Sequence, residues 1–176
     1  MRLLATLICL LVSCADSGPV QHRVDISGDV EIISQDEPNI EAMMVVLNHE
    51  SHITFRCEAW WNTGGPTNTS APRGVLAEAC AAGRCNKNLL GSISEVTYWS
   101  SEFHRLEDME AIYCIVFMPE WYTTTGPHGF PDVEYPERTI LAIRVPVTVR
   151  VEPVDRQRYC NSVVCDSRGC RCTSWY

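Results

Sequence analysis

The chain is nearly without lysine, and it lacks every catalytic signature that spacing can reveal. Lys87 is the single lysine among 14 basic residues. No Gly-x-Ser-x-Gly elbow, no phosphate-cradling glycine loop and no His-Glu-x-x-His helix occurs anywhere in the 176 residues. A hydrolase, a nucleotide-binding enzyme and a zinc protease are each left without the pattern they need, so the chain reads as a non-enzyme with no cofactor. No internal repeat is present, which excludes a solenoid. The apolar core of the first residues is too short to span a membrane, and no later run is long enough.

The first residues read as a secretory signal. Arg2 supplies the positive end, Leu3 to Leu11 the short apolar core, and Ser13-Cys14-Ala15 the small residues before a cut after Ala15. Leu11-Val-Ser-Cys14 also fits a lipoprotein pattern with Cys14 lipidated. The later cysteines and a sequon favour the secretory reading, hence an extracellular location. Residues 1–15 are therefore expected to be a signal peptide, 16–155 a folded domain and 156–176 a cysteine-rich basic tail.

Ten cysteines less Cys9 and Cys14 leave eight, an even set that reads as disulfides in a secreted chain. Cys57 is expected to pair with Cys114 across the core and Cys80 with Cys85 locally. Cys160, Cys165, Cys170 and Cys172 are expected to pair among themselves or back onto the body. Disulfides, rather than a metal, are the expectation for these four. His49-Glu-Ser-His52 has a metal-like look but no third ligand nearby in sequence. No metal site is expected.

The stretch Glu110-Ala-Ile-Tyr-Cys-Ile-Val-Phe-Met118 is almost wholly apolar, rich in β-branched and aromatic residues, and closed by Pro119. Such a run reads as a buried strand. His52 to Ala59 alternates and reads as a strand with one wet face, made a hairpin with Ala42–Leu47 by the turn at Asn48 to Ser51. Val20 to Ile33 reads as two short strands about Gly28, or one with a bulge. Val75 to Ala82 is alanine-rich and reads as a short helix ending at Gly83. Leu89 to Trp99 is strand-like, and Glu102 to Glu110 reads as a helical turn. Thr139 to Val151 alternates clearly, with Pro146 arguing for an edge or a bulge. The sum is an all-β fold: a disulfide-linked antiparallel β-sandwich with one or two short helices.

Two loops carry the surface chemistry. Trp60 to Arg73 opens on two tryptophans and holds the sequon Asn68-Thr-Ser70, so Asn68 is a candidate glycosylation site. Residues 119–138 read as a long loop with Trp121, Tyr122, Phe130 and Tyr135 beside Asp132, Glu134 and Glu137. Loop aromatics serve either as interface anchors or as local core. Residues 16–155 hold 9 basic and 21 acidic residues, a net −12, whereas 156–176 is net +3. An acidic body repels nucleic acid and attracts basic proteins. Trp121, Tyr122, Asp132, Glu134 and Tyr135 are thus the expected contacts for a basic partner, and Tyr135, set among acids, is a candidate for sulfation.

Two resemblances follow. Cys57 and Cys114 lie 57 residues apart, and Asp108-Met-Glu-Ala-Ile-Tyr-Cys114 is similar to the approach to the later cysteine of immunoglobulin-like domains. Tyr113 sits directly before that cysteine, with Ile112 where the family has its tyrosine, and no tryptophan follows Cys57 at the usual distance. This resemblance implies an adhesion or receptor-type interaction module. The acidic approach and cysteine-bearing strand Leu106–Met118, with the late apolar strand running from Ala142 towards Cys165, resemble the secreted immune-evasion β-sandwich proteins of poxviruses. That resemblance implies a viral glycoprotein that binds and sequesters a basic host chemokine or cytokine.

Overall fold

The computed structural model describes residues 20–62, 75–88, 91–119, 122–125, 131–134, 137–153 and 160–175. The expected signal peptide and the Asn68 sequon lie outside them. Nearly every described segment is a strand. In chain order they are β1 (Val20–Ile26), β2 (Glu31–Gln35), β3 (Ile40–Asn48), β4 (His52–Trp61), β5 (Leu76–Ala81), β6 (Arg84–Asn88) and β7 (Ile93–Trp99). After the 3₁₀ turn Ser100–Arg105 come β8 (Ala111–Pro119), β9 (Tyr122–Thr125), β10 (Pro131–Glu134), β11 (Glu137–Pro153), β12 (Cys160–Asp166) and β13 (Gly169–Trp175).

All of these strands but β9 and β10 form two antiparallel sheets. The first runs β1-β11-β8-β5-β6, with β2 also on β11; the second runs β13-β12-β3-β4-β7. Alternating side chains from both inner faces make one core. Ile112, Cys114, Val116, Ile140 and Val145 enter it from the first sheet, and Met44, Val46, Ile53, Phe55 and Tyr98 from the second, all fully buried. Cys57 on β4 and Cys114 on β8 join the sheets by a disulfide through that core. The disulfide-linked antiparallel sandwich read from the sequence is the fold observed.

β11 is the longest strand, and two short strands share one of its edges. β2 pairs with Leu141 to Arg144, and β1 with Val147 to Pro153. Pro146 falls in the gap between them, neither at a sheet edge nor in a bulge. Its carbonyl accepts from Ser27 N–H at 3.0 Å. Because N–H and C=O of one strand residue point the same way, the missing proline donor faces the β1–β2 connection, where no ladder partner needs it. Gly28 passes close by: a Cβ there would sit 3.2 Å from Pro146 Cγ.

The helix expected over Val75 to Ala82 is strand β5. Ala77, Ala79 and Ala81 are buried at spacing two, which turns one narrow face to the core. Tyr98 fills the room that small residues leave, and its hydroxyl donates to the Ala81 carbonyl. Tertiary packing thus overrides the helix preference of alanine. Gly83 ends no helix; Ala82 (φ 44°) and Gly83 (φ 74°) form the two-residue turn between β5 and β6. Paired positive φ values are what a type I′ hairpin turn requires.

The cysteine-rich C-terminal segment belongs to the second sheet. β12 pairs with β3 from Ser162↔Leu47 to Cys165↔Met44, and β13 pairs with β12. Cys165 is fully buried and joins Cys170 across the final hairpin, while Cys160 joins Cys172. Asp166 caps the hairpin turn. Burial alone would raise its carboxyl pKa, but bonds from the Arg171 guanidinium (2.7 Å) and the Arg168 N–H (2.8 Å) prevail and hold it below the usual range.

Candidate binding surface

The segment 119–138 is not one long loop. Pro119↔Glu137 is the last register pair joining β8 to β11, and between these residues the chain makes its own two-stranded sheet, β9 with β10. Among the described residues that sheet pairs with nothing else. Its register sets Tyr122 opposite Glu134 and Thr124 opposite Asp132. Three of the five expected contacts, Tyr122, Asp132 and Glu134, therefore share one hairpin. Trp121, Tyr135 and Phe130 lie outside the described residues.

The other aromatic pair lies within a strand. Trp60 and Trp61 are the last residues of β4, opposite Glu41 and Ile40 of β3, and Trp61 packs partly against the core. For Trp61 the covering role holds. At the opposite end of β4, His49 and His52 stack at 4.5 Å between ring centroids, with Trp99 5.1 Å from His52. Among the described residues no third ligand group joins them; the one metal-shaped cluster is Glu78, Cys80 and Cys85. Its two sulfurs are consumed by the Cys80–Cys85 disulfide, so the cluster has no thiolate to offer.

A groove lies on the outer face of the first sheet. It encloses about 520 Å³, within the range of ligand sites. The β5–β6 turn, carrying the Cys80–Cys85 disulfide, forms one wall, and Asp108 to Ala111 forms the other. Half-buried Tyr113 and Ile115 of β8 form the floor, with Arg144 of β11 behind. Register explains the set: Tyr113 lies opposite Cys80 on one side and Arg144 on the other, and Cys80 lies opposite Cys85.

The charges in the groove are unequal in their freedom. Arg144 donates to both oxygens of Glu31, at 2.9 and 3.0 Å. The Tyr113 hydroxyl and Glu31 together hold its guanidinium above the usual range. Arg84 bonds Glu102 at 2.9 Å and lies 4.9 Å from the Tyr98 ring centre. Of the acids approaching β8, Glu107 meets His22 at 3.3 Å. Asp108 and Glu110 are exposed and have no side-chain partner among the described residues. From sequence this acidic stretch reads as the turn before the central strand and as part of both family resemblances, not as a wall of a binding groove. Its signal was the crowding of Glu107, Asp108 and Glu110 beside Tyr113.

Among the described residues, no helix is long and apolar enough to cross a membrane. Comparison of the chain with family models, with curated proteins and with solved structures gives no match.

Proposed function

We propose that this chain is a secreted, non-enzymatic binding protein that sequesters a basic host protein, a chemokine or cytokine, as the poxvirus immune-evasion proteins it resembles do. The observation that carries this reading is the β9–β10 hairpin. It lies in the connection from β8 to β11, pairs with neither main sheet among the described residues, and carries Tyr122, Asp132 and Glu134 on its strands. A short hairpin mounted on a rigid sandwich presents contacts at low entropic cost on binding. Trp121 and Tyr135 flank it in sequence and supply the aromatic anchors that dominate interface energies.

The −12 charge of residues 16–155 supports a basic partner, because an acidic field speeds the approach of cations. Four disulfides fit an oxidising compartment. The test is surface plasmon resonance with the secreted chain immobilised, against basic chemokines and cytokines and against acidic proteins of similar size. Saturable binding confined to basic partners supports the reading. Indifference to every basic protein at low salt, together with self-association or capture of a cell-surface receptor, overturns it in favour of an immunoglobulin-like adhesion module.

A further inference from the structure

We infer that the groove walled by the Cys80–Cys85 hairpin and by Asp108 to Ala111 is a docking site for a basic peptide segment, with an arginine or lysine side chain of the partner laid on Tyr113 and its head group facing Asp108 and Glu110. The inference rests on groove residues alone and needs neither the hairpin nor the identity of any partner protein.

Some of the charges lining the groove are already spent. Both arginines lining the groove are held by acids of their own, Arg84 by Glu102 and Arg144 by Glu31. An anion entering the groove would have to compete with those carboxylates. Asp108 and Glu110 are in the opposite position: they are exposed, lack a cation among the described residues, and line one concavity. The charge still unanswered in the groove is therefore negative.

The floor suits the same occupant. A half-buried tyrosine ring attracts an ammonium or guanidinium over its face, most strongly where water is partly excluded. Tyr113 is held in place for this role, since it lies opposite Arg144 in register and its strand is anchored one residue later by the Cys57–Cys114 bridge. The methylene stem of a lysine or arginine covers apolar surface while its head stays polar, and Ile115 extends the floor with apolar surface. At about 520 Å³ the groove has room for one such side chain and part of its flanking backbone.

The test uses the full secreted chain, isotopically labelled, titrated with N-acetyl-arginine amide, N-acetyl-lysine amide, the uncharged analogue N-acetyl-citrulline amide and a short arginine-containing peptide. The expected result is saturable amide shifts at Ala82 to Arg84 and at Glu110 to Tyr113 with the cationic probes. Citrulline should bind at least about tenfold more weakly. Asp108→Asn with Glu110→Gln should weaken the arginine peptide by about tenfold and flatten its salt dependence. Tyr113→Leu should weaken it with the acids intact. Both acids are exposed, so unchanged thermal unfolding of that variant confirms that folding is not the cause. Equal binding of citrulline and arginine, shifts confined to other surfaces, or no loss in the double variant would overturn the inference. If the hairpin captures a basic protein while the groove ignores the peptide, this inference fails and the proposed function stands. If the groove takes the peptide but no basic protein binds, the reverse holds.

Discussion

The side chain of Asn48 in β3 stands in for a strand opposite Val24 of β1. Its Oδ1 accepts from the Val24 N–H at 3.0 Å, and its Nδ2 donates to the Val24 carbonyl at 3.0 Å. Both residues are essentially buried, at 1% and 0% exposure. The two strands belong to different sheets, so one amide closes the sandwich where no ladder reaches.

Asn48→Ala leaves a buried N–H and a buried carbonyl without partners. Each such orphan costs about 1–3 kcal/mol, so the variant should lose about 2–6 kcal/mol in urea unfolding. Asn48→Asp keeps the acceptor but turns the donor into a second oxygen facing the Val24 carbonyl. It should also destabilise, and more at neutral than at acid pH. A loss below about 0.5 kcal/mol for Asn48→Ala would show that water replaces the amide.

Ala82 carries a positive φ that a residue with a Cβ adopts with strain, inside a turn type that favours glycine. Ala82→Gly should raise stability by about 0.5–1 kcal/mol, the relief of the left-handed backbone exceeding the added freedom of the unfolded chain. Gly83→Ala (φ 74°) should lower it by a similar amount. Thermal unfolding of both variants gives the comparison. Equal and opposite changes confirm the type I′ turn; a loss on Ala82→Gly contradicts it.

This turn also marks where sequence reading stopped. Ala77 to Ala82 offers the composition of a helix, and nothing local says that Tyr98 of the opposite sheet needs a shallow strand beneath it. Contact across sheets, not propensity, decides that element. The central strand was legible because Ile112 to Phe117 is apolar throughout and bears Cys114 at its middle. The tail was not: four cysteines in 13 residues obscure Val163 and Val164, the apolar pair that pairs with Val45 and Val46 of β3. In 119–138 the prolines and glycines punctuate a hairpin, and punctuation alone reads the same in a loop. The groove escaped notice because Cys80, Tyr113 and Arg144 meet only through register.

Asp166 makes the last hairpin pH-sensitive in a defined direction. Its folded pKa lies below the unfolded aspartate value of about 3.9. Its stabilising contribution is therefore complete well above that value and is lost as pH falls through the folded pKa. Asp166→Asn should lower the midpoint of thermal unfolding at pH 6–7. The gap between variant and parent should narrow as pH drops below about 4. A gap that stays constant down to pH 2 would assign the effect to the Asx turn at Arg168 and not to the Arg171 ion pair.

Capture of a basic protein through the β9–β10 hairpin is the function proposed. Its most direct test is the association rate for a bound chemokine or cytokine as a function of ionic strength, for the parent chain, for Asp132→Asn with Glu134→Gln, and for Trp121→Ala. The parent rate should fall steeply with salt, and neutralising the two acids should slow association and flatten that slope. Trp121→Ala should leave the slope intact and speed dissociation by about 30-fold. An association rate independent of salt, with dissociation unmoved by all three substitutions, would contradict it.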